Sequence, residues 1–273
     1  MIYVSNLAAG LERSLDDPTF LLRSVSAFGG HAGIEFFLHA HDDAYRQKMH
    51  AVKDWLGNLP RTVHGPFITV ETTSEKGTKA YEHFLSCYLW AFEEAARLNC
   101  REMVFHTHQC LIMPEEKAAL QIRCEQNLQT LIEKARPYGI TILVENLGIQ
   151  KQGVNLFDED EFIDLIRRYP ETGCLIDTGH LNVAGWNTEH VLASLGSRIL
   201  AYHLHNNDGI SDSHLPIDCG TFCHPDFYRM YVRYTPNAHL TLEYGDSKTV
   251  TPELLSRDVQ SVLNGVKNAV ANK

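Results

Sequence analysis

A closed barrel of eight β/α units, a TIM barrel, is predicted by three observations. Short apolar runs rich in β-branched residues alternate with helical patterns along the chain. Most of these runs are continuous rather than alternating, as in parallel strands buried on both faces. Six of them end on a polar, metal-capable residue, in TVHGPF, MVFHTH, ILVENLG, CLIDTGH, YHLHNND and HLTLEYG. An open doubly wound sheet gathers its chemistry at one switch point, whereas many strand ends converge at the C-terminal mouth of a barrel.

The first strand spans 2–6. Asp17-Pro18 then suits an N-cap and first helical position, opening a helix that ends at Gly29-Gly30. The second strand, 33–38, leads to a helix over 42–56 that stops at Gly57. Strand three, 61–63, delivers His64, and after a long loop a helix over 76–98 places Tyr81, Leu85, Tyr88, Leu89, Phe92 and Ala96 on one face. Strand four, 102–105, delivers His106, and a helix over 115–138 stops near Gly139. Strand five, 140–144, delivers Glu145, with Phe162, Leu165, Ile166 and Tyr169 marking the next helix. Strand six, 174–176, delivers Asp177. Strand seven, 199–204, sets His203 and His205 on one face because their spacing is two. Strand eight, 239–242, delivers Glu243, and Thr251-Pro252 caps a final amphipathic helix.

The 273 residues suit one closed barrel, read as a single domain over 1–273 with no internal linker. With 44% hydrophobic and 21% charged residues, the chain can bury a large core and is not disordered. A net charge of −10 argues against nucleic acid, since neutralising phosphates takes clustered Lys and Arg. The loops after strands three to seven offer little beyond Lys76, Lys79, Lys151 and Arg198. There is no G-x-G-x-x-G or G-K-[ST] phosphate loop. The odd count of seven cysteines predicts reduced thiols and a cytoplasmic protein. CGTFCH has three residues between its cysteines where haem attachment needs two. No signal-peptide pattern or membrane-length apolar run is present.

Imidazoles and carboxylates at strand ends suit a divalent transition metal. Glu145 and Glu243 follow runs that must be buried, where an ionised carboxylate is costly without a cation or hydrogen bonds. Asp177 and His180 stand three residues apart, with Gly179 permitting a sharp turn that lets both face one cavity. Asp212 and His214 have same-face spacing in the loop after strand seven. Trp186, Phe67, Tyr244, His39 and His41 offer apolar surface and hydrogen bonds around a small polyol.

The order and spacing of TVHGPF, MVFHTH, ILVENLG, CLIDTGH, YHLHNNDGISDSHLP and LTLEYG resemble the xylose-isomerase-like barrel superfamily. That superfamily includes sugar and sugar-phosphate isomerases and epimerases and the type IV apurinic endonucleases. The resemblance to the isomerase branch implies one metal on Glu145, Asp177, His205 and Glu243. The endonuclease branch holds three zinc ions, and its further ligands match His64, His106, His180, Asp212 and His214. The implied cofactor is therefore one to three divalent ions, zinc or manganese first, with cobalt, nickel or iron as alternatives. The leading expectation is a sugar or sugar-phosphate isomerase or epimerase working through an enediolate. Glu145 and Glu243 would move the proton, and His180 would orient a substrate oxygen. A zinc-dependent phosphodiesterase and a non-catalytic metal-binding barrel are the alternatives. Many relatives carry a Gly-Glu-Gly turn where this chain has Pro216-Ile217-Asp218-Cys219-Gly220, so that loop is expected to differ in shape. The oligomeric state is left open.

Overall fold

Eight short strands pair in parallel and in sequence order, and the last closes on the first. They are β1 (Ile2–Ser5), β2 (Ala32–Phe37), β3 (Arg61–His64), β4 (Glu102–His106), β5 (Thr141–Glu145), β6 (Gly173–Asp177), β7 (Ile199–Leu204) and β8 (His239–Leu242). This computed structural model describes residues 1–40, 42–148 and 153–272. His41 and Lys151, named above for substrate contact and basic charge, lie outside the described residues.

The helices are α1 (Leu11–Asp16), α2 (Thr19–Val25), α3 (Asp43–Leu56), α4 (Lys79–Arg97), α5 (Lys117–Ala135), α6 (Glu159–Arg168), α7 (Thr178–Ala184), α8 (Thr188–Leu195), α9 (His224–Tyr234) and α10 (Pro252–Ala271). The helix expected after Asp17-Pro18 is α2, which the Asp17 carboxylate starts by accepting the Thr19 N–H; α1, just before it, was not anticipated. α4 begins at Lys79 because the Thr78 side chain caps it by accepting the Tyr81 N–H. α5 gives way to a tight turn over 136–138, and Gly139 stops it at φ 65°, a left-handed conformation that suits glycine.

Inside the barrel, Val104, Leu143, Leu175 and Ala201 form a small apolar plug separate from the core between strands and helices. Two positions further along the same strands stand His106, Glu145, Asp177 and His203. Since successive side chains alternate faces, the plug is the floor on which a polar layer rests. Among the described residues, the cysteines are free thiols and no helix is long and apolar enough to cross a membrane.

Two histidines outside this layer set an acid limit on stability. Burial lowers His224, at the start of α9, and His239, at the start of β8, to about 4 from an ordinary 6.5. Between those values the unfolded chain takes up protons that the folded chain refuses, so stability is lost as pH falls from 6.5 toward 4. Urea unfolding at stepped pH should show His224→Gln losing up to about 3 kcal/mol less than wild type across this window. Equal losses would remove His224 as a cause.

Candidate metal centre

The mouth of the barrel brings together all the candidate ligands from β3 to β8. His64 Nε2 lies 3.1 Å from His106 Nε2 and 3.4 Å from Glu145 Oε2, and His106 Nε2 lies 2.9 Å from the same oxygen. Across the mouth, His180 Nε2 and His214 Nε2 each stand 3.2 Å from Asp212 Oδ2. His205 Nε2 is 2.9 Å from Asp177 Oδ1 and 3.8 Å from Asp212 Oδ1. Glu145 Oε1 at 3.4 Å and Asp177 Oδ1 at 3.7 Å from His180 Nδ1 link the two sides. Glu243 Oε2 is 3.4 Å from His214 Nδ1.

Main-chain carbonyls set the histidine tautomers. The Nδ1–H groups of His64, His180 and His214 donate to the carbonyls of Gly65, Asn146 and Glu243 at 2.8, 2.8 and 3.0 Å. Each ring thereby turns Nε2 toward the shared centre, as metal-binding histidines do when their other nitrogen is fixed. Asn146, directly after Glu145, clamps β5 to β6: its side chain accepts the Asp177 N–H at 2.7 Å and donates to the Asp177 carbonyl at 3.2 Å.

Gly179 does not form the expected sharp turn. It lies inside α7, which begins immediately after Asp177 with that carboxylate accepting the His180 N–H at 2.7 Å. Its requirement is steric, because a Cβ there would sit 1.9 Å from His205 Cε1.

Metal-free electrostatics are dominated by close opposite charges. Burial disfavours ionised Asp177, yet His180 and His205 outweigh it and hold the carboxyl at about 2. Glu145, opposed by burial but beside His106 and His203, and Asp212, opposed by burial but beside His180 and His214, are held well below the ordinary range. Burial works against charged His180 and His214, but Asp177 and Asp212 push His180 well up, and Asp212 and Glu243 bring His214 to about 9. Burial lowers His106.

This donor set fits divalent metal. His205 Nδ1 is buried without a hydrogen-bond partner among the described residues, and Glu145 Oε2 faces two imidazole nitrogens at 2.9 and 3.4 Å. Facing lone pairs repel unless a cation or proton lies between them. Zinc–nitrogen bonds of about 2.1 Å place neighbouring ligand atoms roughly 3.4 Å apart in a tetrahedron. That is close to the spacing of His64, His106 and Glu145.

A cavity of about 640 Å³ opens over the centre, with Glu145, Glu243, His106, His180, Asp212 and His214 in its wall. Phe67 also lines it. Trp186 and Tyr244 are not among its lining residues. Trp186 packs on Phe162, and buried Tyr244 donates to Asp258 and accepts the Ile217 N–H. His39 stands edge-on to Tyr45, near Glu12 and Asp42. The variant loop beginning at Pro216 places Ile217 and Asp218 against a depression of about 650 Å³ between α9 and α10.

Strand-end reasoning missed Glu35 on β2 and gave no role to His203, which it had set on the same face of β7 as His205. Glu35 is fully buried and its Oε1 lies 2.9 Å from His203 Nε2. A charged residue in the apolar run GIEFFL was the available signal, the same one that drew attention to Glu145.

Solved structures share this architecture over their whole length. A D-tagatose 3-epimerase-like protein superposes with TM-score 0.76 at 19% identity, over 98% of this chain and 99% of its own. TTHB071 of Thermus thermophilus, in a structure soaked with zinc chloride, superposes with TM-score 0.70 at 20% identity, over 100% of this chain and 98% of its own. D-psicose 3-epimerase of Clostridium cellulolyticum H10, in a structure with D-tagatose, does so with TM-score 0.71 at 12% identity, over 98% of each chain. An uncharacterised protein of Methanocaldococcus jannaschii, MJ1311, is 28% identical over 166 residues, covering 58% of this chain and 55% of its own length. The match thus spans about half the length of that curated relative. Residues 23–265 match the family described as xylose isomerase-like TIM barrel, and the chain belongs to that family.

Proposed function

We propose that this protein is a divalent-metal-dependent isomerase or epimerase of a small carbohydrate. The carrying observation is that Glu145 and Glu243 both line one cavity of about 640 Å³, large enough for a monosaccharide, whose described lining contains no Lys or Arg. A phosphate on the substrate would find no Lys or Arg side chain there, which favours a neutral sugar. Leu7, Phe37 and Phe67 offer an apolar wall for C–H groups, and His108, Gln109 and Ser211 offer partners for hydroxyls.

Glu145 is ionised at neutral pH and lines the cavity, its Oε2 2.9 Å from His106 Nε2, so it can accept a proton from the carbon next to the sugar carbonyl. The C–H electron pair moves toward the carbonyl oxygen, giving an enediolate. Glu243, in the wall of the same cavity, returns a solvent-derived proton to carbon while Glu145 gives its proton up to solvent, and the face that Glu243 serves sets which epimer forms. A divalent ion on Glu145, Asp177, His205 and Glu243 would supply Lewis-acid polarisation of the neighbouring oxygens. His180 orients a substrate oxygen if it is not itself a ligand.

A second reading is favoured by one observation: His64, His106, Asp212 and His214 extend the donor set beyond one ion. A centre of several ions suits phosphoester hydrolysis. The deciding experiment measures metal ions per chain, then solvent deuterium exchange into a panel of sugars and sugar phosphates, alongside cleavage of abasic DNA. Exchange supports the isomerase; cleavage without exchange puts the hydrolase in its place. Bound metal with neither activity leaves a binding barrel.

In the several-ion reading, where His214 is a ligand, metal uptake is expected to release protons. His214 holds its proton to about pH 9 in the metal-free protein, and a metal needs the lone pair that proton occupies. Affinity should therefore rise from pH 7 to 9. Titration calorimetry in buffers of different ionisation enthalpy reads the released protons, and a pH-independent affinity would contradict the assignment.

A further inference from the structure

We propose that Gln109 is the positioning residue for His106, an amide that turns over when a metal ion replaces the proton on His106 Nε2. This rests on the several-ion reading, in which His64, His106 and Glu145 hold one ion between them. His106 Nε2 faces two acceptors. Glu145 Oε2 lies 2.9 Å away, and His64 Nε2 lies 3.1 Å away with its lone pair inward, because His64 Nδ1–H donates to the Gly65 carbonyl. Between such groups His106 Nε2 carries either a proton or a bound cation. The two cases set opposite demands on Nδ1 at the far side of the ring. A proton on Nε2 leaves Nδ1 as an acceptor, and an ion on Nε2 leaves it as an N–H donor.

The group at Nδ1 is the Gln109 side-chain amide, whose Nε2 lies 2.8 Å from it. His64, His180 and His214 meet main-chain carbonyls instead, which only accept and so hold those rings in one tautomer. An amide offers an N–H donor at one end and a carbonyl acceptor at the other, and the two exchange places by half a turn about the last side-chain bond. Gln109 therefore satisfies His106 in both tautomers. The ring stays neutral through the exchange: one proton leaves Nε2 for solvent and one is taken up at Nδ1. Such a turn needs the main chain beneath it held still. Glu71, on the loop after β3, does this by accepting the N–H groups of Gln109 and Cys110 on one oxygen, while its other oxygen accepts the N–H and hydroxyl of Thr73. Gln109 and His106 both line the cavity, so the exchange takes place at its wall.

The test titrates metal-free protein with Zn²⁺ by calorimetry, with circular dichroism as a check on folding. Gln109→Leu should keep the fold and weaken one ion per chain roughly 10–100-fold, leaving any other ion unchanged. Gln109→Glu, whose carboxylate only accepts, should instead tighten that ion by roughly 10-fold. Opposite shifts from two substitutions at one position are not what a merely structural loop residue gives. In ¹⁵N-histidine-labelled wild type, Zn²⁺ should move the proton of one ring, the ring absent from His106→Gln, from Nε2 to Nδ1, while His64 keeps its proton on Nδ1 throughout. A folded Gln109→Leu with wild-type affinities overturns the proposal, and so does a His106 that carries its proton on Nδ1 before any Zn²⁺ is added. A wild type whose His106 resonances do not respond to saturating Zn²⁺ overturns the several-ion reading itself, and this proposal with it.

Discussion

Glu145→Gln and Glu243→Gln are each expected to slow solvent-hydrogen exchange into a ketose substrate by about 10²–10⁴-fold, the usual contribution of a general base. Gln has nearly the same shape as Glu and cannot take up a proton, so the cavity survives and the chemistry does not. Both residues are buried, at 1% and 3% exposure, so neither is replaced by bulk water. The two variants should differ in direction. When one carboxylate serves one face of the carbon, its loss removes exchange starting from one epimer more than from the other. Exchange is read by mass spectrometry on recovered substrate and product, with metal content measured on the same samples because both carboxylates are candidate ligands. Full metal with undiminished exchange would take the proton-transfer role from the variant residue.

Gly179→Ala is expected to cost the centre its integrity. In an exposed helix this change stabilises by about 1 kcal/mol. Here the added methyl would lie 1.9 Å from His205 Cε1 and 2.5 Å from both ring nitrogens. His205 is fully buried, so its ring has no free space to enter. Overpacking of this kind destabilises by about 1–3 kcal/mol. Metal affinity should fall with it, because the displaced ring is a candidate ligand. Gly30→Ala, which meets nothing within 4 Å, is the control. Adding His205→Ala to Gly179→Ala should restore the melting temperature without restoring metal. Wild-type stability and metal content in Gly179→Ala would show that the helix shifts instead.

The strands were legible because each is a short apolar run, and the mouth was legible because His64, His106, Glu145, Asp177 and Glu243 fall at the ends of those runs. The candidate loop ligands Asp212 and His214 were reached through spacing and family resemblance. Other features were hidden for physical reasons. α7 and α8 are seven and eight residues long, too short for a helical stripe to stand out. α9 carries Phe227, Tyr228, Tyr231 and Val232 at helical spacing and could have been read. Glu35 lay inside a run rather than at its end, so an argument confined to strand ends passed over it. The backbone carbonyls that fix the histidine tautomers come from loops, whose path depends on the assembled barrel.

Asp177 meets two requirements at once. Its carboxylate starts α7 by accepting the His180 N–H and also stands 2.9 Å from His205. The side chains that start helices well are Asp, Asn, Ser and Thr, and of these only Asp carries a negative charge. The side chains that bring a negative charge are Asp and Glu, and Glu is not among the favoured helix starters. The two sets overlap in a single amino acid. Substitution at this position is therefore far more restricted than at Glu145 or Glu243, neither of which caps a helix.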